Sequence, residues 1–277
     1  MGIGYTTPCG LAGVPGYLWY CSYTQGALLP GYQILDQKAI IMEEIRPITK
    51  PGIHEKFLEF FLKDSESVNL RVLDLGAGHG AFTKKLYDKG YDVHACDLSP
   101  ELFKFDKVEC KKVNITDRFP YEDNTFDLII SIEVTEHITD HEKLFSESSR
   151  ILKPDGSLYV TTPNILSMKS RMRFLFRGFF DTFKRLDLGD YTGLQHVASL
   201  TLDQYNYIGF RNGFKPVKFE IDRKQRTSQL LLCILFPAMY IYRIIKKPDN
   251  IHNHRKLLLG RLLFLTFNNN KTEANGA

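Results

Sequence analysis

The sequence has few cysteines, and their spacing excludes two kinds of scaffold. Five cysteines are scattered over 277 residues without a C-x-x-C pair. A structural zinc site or a small disulfide-stapled domain needs closely and regularly spaced cysteines. Neither can therefore be the basis of the fold. Free thiols are typical of a reducing compartment, so we expect a cytoplasmic protein.

The beginning of the chain lacks charge, since no charged side chain precedes Asp36. Gly and Pro interrupt its apolar stretches, which disfavours a transmembrane helix, and the basic region of a secretory signal is missing. The composition changes at Met42, which precedes Glu43 and Glu44. We therefore predict that residues 1–41 are an N-terminal extension outside the domain.

A strong excess of charge is also absent. The formal net charge is +4, with 43% hydrophobic and 25% charged residues. This composition is typical of a globular protein with a substantial core. The small net charge disfavours nucleic acid as a partner, although local basic clusters still matter.

Apolar periodicity predicts alternating strands and helices. Expected strands cover residues 71–75, 91–96, 109–113, 127–131, 157–161, 215–221 and 261–267, and expected helices cover 54–63, 81–89, 141–152 and 202–212. Such alternation is typical of βαβ units. We predict an α/β, Rossmann-like, doubly wound and mostly parallel seven-stranded sheet, with an acceptor-side insertion and an apolar C-terminal helix.

This reading divides the chain after the extension into three parts. Residues 42–222 form the predicted nucleotide-binding domain. Residues 223–268 contribute an apolar helical insertion and the last strand of the sheet. The polar residues 269–277 are expected to form a disordered tail.

A glycine-rich turn follows the first predicted strand. Gly76, Gly78 and Gly80 allow a ligand to approach the backbone, and Asp97 ends the next strand nineteen residues after Gly78. A dinucleotide fold needs G-x-G-x-x-G/A, which Ala81 could complete. An S-adenosylmethionine fold prefers the compact G-x-G-x-G after an acid. The turn by itself leaves both alternatives open.

Four motifs then resemble the class I S-adenosylmethionine-dependent methyltransferases, within the ubiquinone/menaquinone methyltransferase-like superfamily. They are VLDLGAGHG, CDLSP, FPYEDNTFDLIISIEVTEHI and RILKPDGSLYVTTPN, in the family's order over roughly residues 70–165. Asp155 stands where Gly is commoner. Nicotinamide dehydrogenases lack this series, so the resemblance favours S-adenosylmethionine as the cofactor.

The resemblance also implies where the methyl donor binds. The methionine part would lie along the first turn, the ribose on the second-strand acid, the adenine near the next two strands, and the sulfonium after the fourth strand. The residues implied for the methionine part are Asp74, Gly76, Ala77 and Gly78, and the residue implied for the ribose is Asp97. Those implied for the adenine are Leu98, Asn114 and Ile115, and those implied for the sulfonium are Ile132 and Glu133. Leu98 and Ile115 could instead be ordinary core residues.

The candidate catalytic residues are Glu136, His137 and His196. An oxygen or nitrogen acceptor usually needs a base or a metal to free its lone pair. The pattern E-x-x-E-H, from Glu133 to His137, is similar to that of metal-dependent ubiquinone-pathway O-methyltransferases and small-RNA 3′-terminal 2′-O-methyltransferases. Metal-free relatives share it, so we expect no metal, with Glu136 and His137 shaping the cofactor pocket.

Two later stretches concern the acceptor and the membrane. Residues 167–185 interleave six cations with five phenylalanines, which suits an anionic or sugar-bearing acceptor or a lipid interface. Residues 230–242 are uncharged but too short to span a bilayer, and Pro237 is expected to break them. They could form a core helix or lie in a membrane surface, at its inner face.

Three functions follow from these observations. The first is methylation, on oxygen, of a small-molecule, glycan or lipid-linked acceptor. The second is metal-dependent 2′-O-methylation of an RNA 3′ end, against which the sequence offers no accessory RNA-binding motif. The third is a non-catalytic nucleotide-binding module, which the intact turn and Asp97 disfavour. Nothing in the sequence assigns an oligomeric state.

Overall fold

The computed structural model describes residues 45–64, 69–190, 192–246 and 251–271. All of these residues belong to one compact unit. The predicted extension, residues 1–41, therefore lies outside the described residues.

The centre of the domain is a seven-stranded sheet in the order β3-β2-β1-β4-β5-β7-β6. The first five strands in this order are parallel, and β7 runs antiparallel to both β5 and β6. The strands are β1 Arg71–Leu75, β2 Asp92–Asp97, β3 Cys110–Lys112, β4 Phe126–Ile132, β5 Leu152–Pro163, β6 Lys218–Ile221 and β7 Leu262–Asn268. The predicted mostly parallel, seven-stranded α/β sheet is confirmed.

Helices cover both faces of this sheet, because its strands are apolar on both sides. The helices are α1 Ile53–Asp64, α2 Ala81–Tyr87, α3 His141–Ile151, α4 Met168–Arg177, α5 Leu202–Arg211, α6 Arg226–Lys246 and α7 Arg255–Leu259. Helices α1 and α2 pack against Val72 and Ile130 on one face. Helices α3 and α5 pack against Leu73 and Ile129 on the other.

The strand order places a ligand site at the carboxyl ends of the central strands. Strand β1 pairs with β2 on one side and with β4 on the other, so the order reverses between β1 and β4. Open α/β sheets bind ligands at such a reversal, beyond the carboxyl ends of the strands. The ends of β1, β2 and β4 carry the glycine-rich turn, Asp97 and Glu133.

Helix α6 corrects the prediction that Pro237 breaks the apolar stretch. The helix continues through Pro237 for 21 residues. The proline removes one interior hydrogen bond, but its position is exposed and the neighbouring leucines, methionine and alanine favour a helix. Ser228 is its one buried residue, so α6 is not a core helix. By length and composition α6 is able to cross a membrane.

The end of the sheet extends beyond its predicted limit. Asn269 is fully buried, and its amide donates to the carbonyl of Ser149 at 3.1 Å. The Lys271 ammonium donates to the carbonyls of Arg150 and Leu152. The polar segment from Asn269 to Lys271 is therefore part of the domain, and the rest of the predicted tail lies outside the described residues.

A buried ion pair on α3 holds the segment that precedes β4. The Glu147 carboxylate accepts from the Phe119 backbone N–H at 2.8 Å and from Arg150 at 2.7 Å. Arg150 also donates to the carbonyls of Phe119 and Tyr121. These hydrogen bonds satisfy backbone groups of the segment that no strand or helix pairs.

We expect Glu147→Ala to lower the free energy of unfolding by about 3 kcal/mol, because it leaves Arg150 half-buried without its main partner. Urea denaturation measures the loss. Glu142→Ala, at an exposed position on the same helix, should cost less than about 1 kcal/mol. Equal losses for the two variants would contradict this role of Glu147.

Candidate active site

The turn after β1 presents bare backbone to the ligand edge of the sheet. Gly76 has φ +82°, and a Cβ there would lie 2.4 Å from Val134 Cγ2. The N–H groups of Gly76 and Ala77 donate to the Cys96 carbonyl at 2.9 and 3.1 Å. Both the left-handed conformation and the close approach of Val134 require glycine at position 76.

Asp97 connects this turn with the end of β2. Its carboxylate accepts from the N–H of Gly78 at 2.8 Å and from the N–H of Ser99 at 2.9 Å. The side chain is only partly buried, so free lone pairs face the cavity. This arrangement suits acceptance of hydrogen bonds from ribose hydroxyls.

Asp74 is buried beneath the same turn. It accepts from the Thr83 hydroxyl at 2.6 Å, and burial raises the pKa of the carboxyl to about 6. This hydrogen bond attaches β1 to the first turn of α2. The acid therefore lies where a cationic group of a ligand would favour its ionised form.

Glu133 follows β4 in a strained conformation. Its φ is +54°, which non-glycine residues rarely adopt. Thr161 holds it there, since the Glu133 N–H donates to Thr161 Oγ1 at 2.9 Å and the hydroxyl contacts Glu133 Oε1 at 3.2 Å. Burial raises the pKa of Glu133 to about 7. The carboxylate is thus fixed at the cavity wall.

Glu136 lies one short turn further along the chain and is fully buried. Neither of its carboxylate oxygens has a hydrogen-bond partner among the described residues. Burial, followed by the repulsion of Glu133, raises the pKa of Glu136 well above its ordinary value. A buried carboxyl without partners is costly and is typical of a site that receives a ligand or a cation.

His137 and His196 complete a cluster with Glu136. Their rings are 5.0 Å apart, and one ligand atom from each of the three residues lies within 4.8 Å of the others. His137 Nδ1 is 3.0 Å from the Gln195 carbonyl, and His196 Nδ1 is 3.2 Å from Thr182 Oγ1. The carbonyl requires Nδ1–H on His137, which leaves Nε2 as a free acceptor.

The environment keeps both imidazoles neutral. Burial lowers the pKa of His137, and burial with the nearby His137 lowers the pKa of His196 to about 4. Unprotonated imidazoles at neutral pH can accept a proton or ligate a metal. The backbone holds the cluster together, since the Glu136 carbonyl accepts from Val197 N–H at 2.8 Å.

One cavity of about 1380 Å³ contains every residue that the sequence analysis assigned to the site. The cavity exceeds the roughly 300–1,000 Å³ of a typical small-ligand pocket, so a methyl donor and an acceptor fit together. The residues at its wall include Asp74, Gly76, Ala77, Gly78, Asp97, Leu98, Asn114, Ile115, Ile132, Glu133, Glu136, His137 and His196. Their individual roles stay predictions.

The cavity also has walls that the sequence patterns did not indicate. Four cations line one part of its wall, which we call the basic lobe: Lys169, Lys224, Arg226 and Arg261. The Lys169 N–H donates to Ser228, close to Arg226, and Lys224 pairs with Gly260, the neighbour of Arg261. Only Lys169 belongs to the basic stretch singled out in the sequence. The other three adjoin the apolar helix and the last strand, and their convergence depends on the antiparallel return of β7.

The residues present fit the methyl donor that the resemblance implies. The bare backbone of Gly76 and Gly78 borders the cavity. The Asp97 carboxylate lies on one side of this space, and the buried carboxyls of Glu133 and Glu136 lie on another. A cationic sulfonium nucleoside matches this set of anionic and bare backbone groups.

Comparison with known proteins agrees with this geometry. Residues 73–160 match the family described as "Methyltransferase domain". The chain carries a class I S-adenosylmethionine-dependent methyltransferase domain. The fold, the family and the cofactor of this domain thus agree with the predictions drawn from the four motifs.

Curated relatives share part of their length with this domain. Phosphoethanolamine N-methyltransferase 2 of Caenorhabditis elegans is 37% identical over 100 residues, which are 32% of this chain and 23% of that protein. Ubiquinone biosynthesis O-methyltransferase of Xanthomonas oryzae is 31% identical over 103 residues, 34% of this chain and 43% of the relative. The chain therefore spans less than half the length of these relatives.

A solved structure of similar fold has greater coverage. A SAM-dependent methyltransferase from Archaeoglobus fulgidus superimposes with a TM-score of 0.54 at 16% identity, covering 76% of this chain and 90% of the other. At this identity the likeness concerns the fold. The similarity in fold therefore extends beyond residues 73–160 to most of the described domain.

We expect Asp97→Asn to weaken S-adenosylmethionine binding by about tenfold to a hundredfold, because a charged hydrogen-bond acceptor is worth roughly 1.5–3 kcal/mol. Calorimetric titration measures the affinity. Asp92→Asn, at the exposed start of the same strand, is the matched control and should bind normally. Normal binding by Asp97→Asn would contradict the role of this carboxylate.

Proposed function

We propose that this protein transfers a methyl group from S-adenosylmethionine to an oxygen of a small-molecule, glycan or lipid-linked acceptor. One observation carries the proposal. The cluster of Glu136, His137 and His196 lines the same cavity as the cofactor turn and the basic lobe. An acceptor in the basic lobe can thus reach the methyl group beside a free imidazole nitrogen.

The donor supplies an electrophilic methyl group, and the protein's residues perform the remaining work. Asp97 and the glycine turn hold the nucleoside, while Glu133 and Ile132 lie at the end of β4 next to the reacting centre. The acceptor hydroxyl would give its proton to His137 Nε2 as its oxygen bonds to the methyl carbon and the carbon–sulfur bond of the donor breaks. His137 would then release the proton to solvent.

An oxygen acceptor is favoured by the state of His137. A hydroxyl must lose its proton on methylation, and His137 is an oriented imidazole whose pKa burial lowers. The relatives include both an O-methyltransferase and an N-methyltransferase by name. An amine acceptor can lose its proton to solvent before the transfer, so that it depends less on a base in the site.

We expect His137→Gln to reduce turnover by about a hundredfold to ten-thousandfold, the contribution of a positioned base. Donor affinity, measured by calorimetry, should stay within about threefold because the side chain does not hold the nucleoside. Turnover is measured with labelled S-adenosylmethionine and fractionated lipids, glycans, quinols and RNA. His94→Gln, outside the cavity, is the control. Full activity of His137→Gln would exclude the base.

A divalent cation at the same cluster is a second candidate. Glu136 has no partner among the described side chains, and both histidines have one ring nitrogen anchored, as metal-ligating histidines usually do. A cation would lower the pKa of an acceptor hydroxyl, in place of the imidazole base. If the acceptor of such a metal-dependent reaction were a nucleic acid, the reaction would be 2′-O-methylation of RNA.

If the cation is required, chelation followed by dialysis should abolish turnover, and Mg²⁺, Mn²⁺ or Zn²⁺ should restore it. If His137 acts as a base, turnover is unchanged by chelation. Restored activity on RNA ends with steep salt dependence would favour the nucleic-acid acceptor. Glu136→Gln distinguishes a ligand from a pocket residue, because loss of a ligand weakens metal binding in direct titration.

A further inference from the structure

Helix α6 exposes a long apolar surface. Its large hydrophobic side chains are mostly more than half exposed, including Ile234 at 64% and Ile245 at 70%. Leu230, Ile234, Ile241 and Ile245 recur at helical spacing and form one stripe. Helix α4, which contacts α6, also exposes Leu175 and Phe176. Contiguous apolar surface of this kind marks an interaction site.

The charges on α6 are all positive and lie at its ends. Arg226 begins the helix, Arg243 and Lys246 end it, and it contains no Asp or Glu. None of these three cations forms an ion pair within the part of the chain that the structure describes. An apolar stripe between unpaired cations complements a bilayer with anionic head groups.

Both ends of α6 return to α4. The Ser228 hydroxyl accepts from the Lys169 N–H at 3.1 Å, next to the start of α6. After α6, the Arg171 guanidinium donates to the His252 carbonyl at 2.6 Å and to Asn253 Oδ1 at 2.9 Å. The chain thus leaves the domain and re-enters it two residues apart along α4.

This return excludes a transmembrane placement. Twenty-one residues of helix extend about 31 Å, close to the hydrocarbon thickness of a bilayer, roughly 30 Å. Five peptide steps from Lys246 to Ile251 reach at most about 18 Å. If α6 spanned the bilayer, its last turn would be farther from the domain than that link allows. The helix must lie along the membrane surface.

The start of α6 also adjoins the basic lobe. Residues 223–227 line the cavity and lead directly into the helix, and Lys169 of α4, which is bonded to Ser228, lines it beside them. Asp181 neutralises Lys169 at 2.9 Å, whereas Lys224 and Arg226 have no ion pair among the described residues. A membrane at α6 would therefore meet the cavity on its positively charged side.

We propose that α6 lies in the plane of an anionic bilayer, so that the basic lobe receives the anionic head group of a membrane lipid as the acceptor. The choice of acceptor rests on the proposed methyltransferase function, whereas the membrane docking does not. The lipid stays in the bilayer, and its head group enters the cavity beside Lys224 and Arg226.

Flotation of the full-length protein with vesicles tests the docking. Vesicles of phosphatidylcholine with phosphatidylglycerol should bind it at least about tenfold more strongly than phosphatidylcholine alone. The double variant Ile234→Glu/Ile241→Glu should lose at least about tenfold of that affinity. Leu188→Glu, at a position 90% exposed outside α6, is the control and should bind like the wild type.

S-adenosylmethionine binding, measured on the same samples, separates the two proposals. The double variant should keep its donor affinity, which shows that it is folded. Loss of vesicle binding with donor binding intact supports the docking. Donor binding without vesicle binding by the wild type overturns the docking alone, and a concentration-dependent dimer would assign α6 to a second copy. Vesicle binding without donor binding overturns the proposed function alone.

Fluorescent labels on α6 test its orientation. Cys233 is exposed, so it is replaced by Ser, and labels are attached at Leu230→Cys or Ile244→Cys, about 21 Å apart along the helix. Quenchers on the outer leaflet should find both labels at about the same depth, roughly 5–10 Å below the surface. Labels in opposite leaflets would overturn the in-plane placement.

The acceptor is tested with the same vesicles. Turnover of lipid extracts should fall at least about tenfold in the double variant when the extract is presented in anionic vesicles. It should recover when the extract is dispersed in detergent, because docking is then unnecessary. Equal turnover of a water-soluble fraction by both proteins, with no methylated lipid, would overturn the lipid acceptor.

Discussion

The site depends on the parallel pairing of β1 with β2 and β4. Parallel strands end at the same edge, so three separate motifs meet there although they are spread over about sixty residues. The hydrogen bond from Gly78 to Asp97, at 2.8 Å, then joins the first turn to the second strand. The strained Glu133 backbone, held by Thr161, aims the following turn into the same space. Without this register, the glycines, Asp97 and the His137 cluster would not share a cavity.

Much of this arrangement could be predicted, because local patterns determine it. The strand from Arg71 to Leu75 has the predicted limits, since a buried apolar run is bounded by a charged residue and a glycine turn. The proximity of Asp74, Asp97 and Glu133 follows from parallel topology alone. The sequence offers only a weak indication that His196 lies near His137, because about sixty residues separate them and these include α3, β5 and α4.

The features that could not be predicted depend on packing between distant segments. The basic lobe combines residues from α4, the start of α6 and the start of β7, and no motif links these segments. The burial of Asn269 follows from its bonds to the end of α3, which periodicity does not register. Helix α6 was misjudged because Pro237 was expected to end it, whereas the helix formers on both sides maintain it. The exposure of α6 could not be predicted, because it depends on the other helices covering the sheet.

Buried carboxyls in the candidate active site lower the stability of the domain. Asp74, Glu133 and Glu136 are buried carboxyls whose pKa values burial raises. Between the ordinary and the raised pKa the folded protein binds more protons than the unfolded chain, so its stability falls as the pH rises through that range. A positively charged sulfonium, or a metal cation, favours the ionised carboxyls and offsets this loss. None of these three carboxyls forms a salt bridge with a described residue, so their burial at the carboxyl ends of the strands suits a cationic ligand. Apolar side chains would serve a purely structural role at lower cost.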